Sequence, residues 1–188
     1  MSSREPLVAV LDANVLYGQF LRDVLLRLAD AELFLPRWTD EIQQEWMRNL
    51  LVNIPDFPPD RIHRTGRAME EAFPDARVLG YRRHEKSVAG IDPKDRHVAA
   101  AAIAAGAQRI VTFNLRHFPL DTLAPFGITP IHPDAFVGGL ISANRDDALA
   151  VLDSHRRGLT RPPLSPARYR EMFIKAGLKK TVRFLPIS

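Results

Sequence analysis

Leu7-Val8-Ala9-Val10-Leu11-Asp12-Ala13-Asn14 is the stretch whose reading decides the fold. Five apolar residues run without interruption into an acid, the pattern of a buried strand that delivers a carboxylate at its carboxyl end. In open α/β sheets, ligand sites form at that edge. A second run, Arg109-Ile110-Val111-Thr112-Phe113-Asn114, also ends in a polar residue.

Outward from these two runs, strands and helices alternate. Further strands are expected at residues 32–36, 76–79 and 128–131. A helix is expected from residue 14 to about residue 29, with Phe20, Val24, Leu25 and Leu28 at helical spacing. Another begins near Asp40, where Asp40 and Gln43 have capping-box spacing, and a third spans about 60–73. Asp92-Pro93-Lys94-Asp95 opens an alanine-rich helix that stops at Gly106, with Asp92 as N-cap and Pro93 at the first helical position. The fold class is therefore α/β: a three-layer α/β/α sandwich around a central parallel sheet. Beyond Pro133 the character changes to helices near 145–156 and 166–176, separated by a proline-rich break. Residues 1–138 read as the α/β domain. Residues 139–188 read as a basic helical extension, too short to bury a core of their own.

Composition narrows the chemistry. The absence of cysteine excludes disulfides, thiolate metal sites and cysteine nucleophiles. The N-terminus has no long apolar run and carries Arg4 and Glu5, so neither a signal peptide nor a membrane span is expected, and a cytoplasmic protein is the default. The net charge of +4 hides an asymmetry. Residues 139–188 hold 10 of the 26 basic and 4 of the 22 acidic residues, a net +6; the 16 basic and 18 acidic residues before them give −2. A basic tail on a slightly acidic body suits a polyanion contact, or simply a solvated basic surface.

Four carboxylates draw attention. Asp12 ends an apolar strand, where an ionised group needs a partner or a cation, although capping the next helix is an alternative role. Glu45 lies beside the Ile42, Trp46 and Leu50 stripe of its helix, half-facing the interior or simply at its rim. Asp92 and Asp95 have capping-box spacing, yet two acids at a helix start beside a sheet edge could also hold a divalent ion. The run Val98 to Ala102 is small enough to let that helix pack closely and bring Asp95 towards Asp12. Thr112, Asn114 and Arg116 follow the later strand as candidates to position metal or phosphate, and His117 reads as an ordinary loop histidine.

Taken in order, these motifs resemble the PIN-domain nucleases, especially the VapC-type toxins of prokaryotic toxin–antitoxin pairs. The matches are Val8 to Asn14, Trp38 to Leu50 and Asp92 to Phe118, reaching over about residues 7–135. The resemblance implies a ribonuclease that uses Mg²⁺ or Mn²⁺, with Asp12, Glu45 and Asp95 as catalytic metal ligands and Asp92 as an extra one. It gives Asn14, Thr112, Asn114 and Arg116 positioning roles, and implies an RNA substrate, a cognate antitoxin and a homodimer. Asn114 stands where many members have a fourth acid, which removes a negative charge and bears on a second metal. Two other classes fit less of the pattern. A haloacid-dehalogenase-like phosphatase needs a carboxylate where Asn14 stands, and a catalytically degenerate PIN-like protein would bind nucleic acid without cutting it. No glycine-rich phosphate loop follows the first strand, which disfavours a Rossmann module.

Overall fold

The computed structural model describes residues 6–186, so Arg4 and Glu5 lie outside the described residues. Strand β1 (Val8–Leu11) occupies the inside of a four-stranded parallel sheet of order β2-β1-β3-β4, with β2 at Leu35–Arg37, β3 at Arg109–Val111 and β4 at Thr129–Ile131. Val10 pairs with Arg37 on one side and Ile110 on the other, and Leu11 lies opposite Val111. Ala9, Val10, Leu11, Ile110 and Val111 are fully buried, which is why β1 reads as one unbroken apolar run. Each edge strand carries a central proline, Pro36 or Pro130. Proline offers no N–H to a further strand, so it is tolerated there and blunts the edge.

The connections explain the layers. Helices α1 (Ala13–Tyr17) and α2 (Gln19–Asp30) carry β1 out to β2. Helices α3 (Asp40–Asn53), α4 (Pro59–Ala72) and α5 (Arg96–Ala104) return the chain past β1 to β3, and the short α6 (Leu120–Leu123) leads on to β4. Right-handed crossovers that leave β1 in opposite directions put helices on opposite faces of the sheet. They also leave a crevice beyond the carboxyl ends of β1 and β3, where the strand order reverses.

Several expected boundaries move, each for a local reason. The helix expected over 14–29 breaks at Gly18, whose extended backbone separates α1 from α2. Thr39, not Asp40, caps α3: its hydroxyl accepts from the Ile42 amide at 3.1 Å. The strand expected at 76–79 is a single bridge, Arg77 opposite Trp38, beside the 3₁₀ turn Pro74–Ala76. Helix α5 starts at Arg96, one turn later than expected, because Asp92 to Asp95 close a turn of their own through the Asp95 amide on the Asp92 carbonyl. Among the elements not foreseen are the 3₁₀ segment Tyr81–Val88, the short α6, and helix α7 (Pro133–Ala143), whose paired glycines at 138 and 139 mask it. The division expected between residues 138 and 139 falls inside α7. Among the described residues no helix is long and apolar enough to cross a membrane.

Helices α8 (Arg145–Gly158) and α9 (Pro166–Lys175) and the 3₁₀ turn Thr181–Phe184 pack back onto this frame. Phe20 of α2 meets the rings of His155, Tyr169 and Phe173 at centroid distances of 5.7, 5.7 and 5.2 Å. The Asp134 carboxylate accepts from the Lys180 and Thr181 amides, each at 2.8 Å, and from the Thr181 hydroxyl at 2.7 Å. Burial opposes ionisation there, but these donors outweigh it and hold the carboxyl below its ordinary range.

His155 lies inside this junction, its Nδ1 2.9 Å from the Tyr169 hydroxyl. Burial, helped by Arg27, pushes its pKa down to about 4. The unfolded chain takes up that proton near pH ~6.5, so the stability held at this site is complete above that point and is lost as pH falls towards 4. The loss reaches about 3 kcal/mol. Melting curves of the wild type and His155→Gln, followed from neutral pH down to pH ~4.5, will converge as the wild type alone loses this contribution. Parallel curves would show that the His155 proton is not linked to folding.

Candidate functional site

The ends of β1 and β3 are stitched together by side chains. Asp12 follows β1, and its amide continues the ladder to the Val111 carbonyl at 3.1 Å. It occupies the N-cap position of α1, yet its side chain makes no capping bond. Its Oδ2 accepts instead from the Thr112 hydroxyl at 2.7 Å and from Asn14 Nδ2 at 2.6 Å. Asn14 Nδ2 also donates to Thr112 Oγ1 at 3.0 Å, and Asn14 Oδ1 accepts from the Phe113 amide at 3.1 Å. Thr112 Oγ1 further accepts from the Asn114 amide at 3.0 Å, so this hydroxyl uses its one donor and both acceptor positions.

The Asp12 carboxylate is only 5% exposed. Burial first, then the negative fields of Glu45 and Asp95, push its pKa up to about 6 against the Thr112 and Ala13 donors. Asp95, at the N-cap position of α5, likewise makes no capping bond. Burial raises its pKa, with Asp92 and Glu45 adding to the effect and His117 and His97 opposing it. The fold thus brings acids from β1, α3 and α5 into one another's electric field, across more than eighty residues of sequence.

Two histidines complete the site. His97 Nε2 lies 3.5 Å from Glu45 Oε2, and His117 Nδ1 lies 3.2 Å from Asp95 Oδ2. His117 is therefore not the ordinary loop residue expected from sequence. His97 is buried, which alone would lower its pKa, but the Glu45 bond and the fields of Glu41, Glu45 and Asp12 prevail and raise it. Its Nδ1 is buried with no partner among the described residues. Nothing in the sequence marks either histidine except that His97 comes two residues after Asp95 in an otherwise small-residue helix.

The remaining predicted residues sit further out. Asp92 is exposed, and its Oδ1 accepts from the Lys94 amide at 3.0 Å to shape the turn before α5. Asn114 touches the network only through its backbone, and its side chain is exposed. Arg116, on the 3₁₀ turn Leu115–His117, is exposed and makes no ion pair among the described residues. Beside Glu45 and His97 opens a cleft of about 650 Å³, with Glu41 and Tyr81 in its wall and Arg48, Arg82 and Lys94 around it.

Carboxylate and amide oxygens are hard donors of the kind Mg²⁺ and Mn²⁺ prefer. A buried carboxylate repelled by two others is also an environment that a divalent cation relieves. Among the described residues no three such side chains already form a closed metal-binding group. His97 lies against Glu45 and His117 against Asp95, so one oxygen of each acid already has a partner.

Comparison with known proteins adds two matches. A family model described as the VapC50 C-terminal domain matches residues 133–185, the span from the start of α7 to just past the final 3₁₀ turn. A Mycobacterium tuberculosis protein named "Putative ribonuclease VapC50" is 41% identical over 73 residues, which is 39% of this chain and 43% of that relative. The match therefore spans less than half of the curated relative's length. No solved structure matches the chain. The parallel sheet carries an acid at its switch point, and over the matched spans the chain is similar to VapC50, a VapC-type protein.

Proposed function

We propose that this chain is a metal-dependent endoribonuclease, the toxin of a toxin–antitoxin pair. One observation carries the proposal: Asp12, buried at the switch point, stays within the field of Glu45 and Asp95 with its pKa raised to about 6. Folding gains nothing from such an arrangement, whereas binding a cation does. Asp12, Glu45 and Asp95 would hold Mg²⁺ or Mn²⁺, with Asp92 as an outer acid. The ion, when bound, supplies positive charge at the scissile phosphate and a water that ionises near neutral pH.

The chain's own groups do the rest. Thr112 and Asn14 fix the Asp12 carboxylate through its Oδ2. His97, its pKa raised against burial by the surrounding acids, lies beside Glu45, and His117 lies against Asp95. Exposed Asn114 and Arg116 are available to a phosphate at the rim. RNA as substrate, a cognate antitoxin, a homodimer and a cytoplasmic location belong to the same proposal, by likeness to VapC-type proteins. The phosphatase alternative is disfavoured at Asn14, whose amide is committed on both sides to Asp12, Thr112 and Phe113.

Purified chain incubated with single-stranded RNA and Mg²⁺ or Mn²⁺ will cleave it. EDTA will abolish cleavage, and Asp12→Asn or Asp95→Asn will each reduce it by about a hundredfold or more. Cleavage that survives both chelation and substitution would reject the proposal. Salt-sensitive RNA binding without any cleavage would favour the degenerate binding protein instead.

Stability offers an independent check. The folded pKa of Asp12 is raised, so the wild type is penalised above about pH 6 and recovers as pH falls towards 4. Asn at this position can accept the same two hydrogen bonds without the charge. Metal-free Asp12→Asn will therefore be more stable than the wild type at neutral pH, by about 2 kcal/mol, with the difference shrinking in acid. Added Mg²⁺ will raise the melting temperature of the wild type more than that of the variant.

A further inference from the structure

A groove of about 380 Å³ shares a wall with the acidic site. It is lined by Asn14, Tyr17 and Phe20 from the first helices, Phe113 after β3, and Met172 and Lys175 from α9. Asn14 is the residue whose amide holds Asp12 at 2.6 Å, and Phe113 directly follows Thr112, so the groove begins one residue from the acid. Both the α/β frame and the C-terminal helices build it.

Its walls are flat, apolar and fixed. Tyr17, Phe20, Phe113 and Met172 are each half-buried. Phe113 meets His132 edge-on at 5.1 Å, and Gly177, with φ at +85°, packs so close that a β-carbon there would fall 3.0 Å from Phe113 Cε1. Phe20 is held from behind by Tyr169 and Phe173. Lys175 is exposed at the rim. Aromatic faces with a nearby cation suit an unstacked base and its phosphate, the usual target of single-stranded RNA recognition. The volume is at the small end for ligand pockets and fits one nucleoside-sized group, whereas a protein partner requires a far larger buried surface.

We propose that this groove binds a nucleobase of the RNA beside the scissile phosphate presented to the acidic site, so that α9 helps choose which nucleotide is presented. The inference rests on the ribonuclease proposal above. Both Asn14 amide protons are committed, to Asp12 and Thr112, so that side chain has no donor left to read a base edge, and the apolar walls favour selection by shape and stacking.

The test is photo-crosslinking of single-stranded RNA substituted with iodouridine to full-length Asp12→Asn protein in Mg²⁺, which keeps the RNA uncut, with adducts mapped by mass spectrometry. Adducts on Tyr17, Phe113 or Met172 are expected. Met172→Ala and Lys175→Ala, which change half-buried and exposed side chains on α9, will each weaken RNA binding by about three- to tenfold while leaving the Mg²⁺-induced rise in melting temperature of the otherwise wild-type chain unchanged. Adducts confined to the cleft around Arg48, Tyr81 and Lys94, or unchanged affinity in both variants, would overturn the assignment. RNA cleavage by the wild type without groove adducts sinks this inference alone, and groove adducts without wild-type cleavage sink only the ribonuclease proposal.

Discussion

The molecule is organised around one unfavourable act, the burial of the Asp12 carboxylate at the end of a strand packed on both faces. A strand of that kind has no solvated side, so helices must cover it above and below, and the crossovers must leave it in opposite directions. The same topology gathers Asp12, Glu45 and Asp95 near the carboxyl ends of β1 and β3, within one another's fields. Thr112 and Asn14 then hold the carboxylate with two short hydrogen bonds, and even so its pKa stays well above the ordinary carboxylate range. Two hydrogen bonds are a partial answer to desolvation when two further acids press on the same group. A chain selected for stability alone would place a neutral residue there, and local conflict of this kind is a mark of a working site.

The histidines belong to that same conflict. Glu45 and Asp95 each lie against an imidazole, so part of their negative charge is answered from within the protein. His97 is the more telling of the two, because burial should lower its pKa and the surrounding acids raise it instead. The alanine run of α5 makes this possible. Ala99 to Ala102 are fully buried, which brings the helix down onto β1 and β3 and sets Asp95 and His97 over the strand ends.

Much of this was legible in the sequence, because the strongest signals were local. The apolar runs of β1 and β3, the polar residue after each, and the acids on α3 and α5 could all be read from spacing. What the sequence concealed were contacts made over long distances. Asp12 and Asp95 both look like helix caps, and only the structure shows that neither side chain makes a capping bond. His117 looks like a loop residue until the chain folds it against Asp95. The segment at 76–79 has strand-like residues, but a single bridge to Trp38 is all the sheet edge offers it. Helix α7 escapes a sequence reading because glycine pairs disfavour helices in isolation, whereas here the helix buries Gly138 against the ring of Phe184.

The tail's charge also means less than its count suggests. Several of its cations are occupied inside the protein: Arg170 Nη1 donates to the Val182 and Leu185 carbonyls, Arg156 to the Leu164 carbonyl and Asp153, and Arg157 to Asp153. These arginines tie the last helices and turns together in place of a core that fifty residues could not supply alone. The aromatic junction on Phe20 and the Asp134 contacts with Thr181 then fasten the whole segment to the α/β frame. A tail held in this way is a wall and not a loose cationic arm. Its contribution next to Asp12 therefore comes from where α9 is fixed, with net charge a lesser factor.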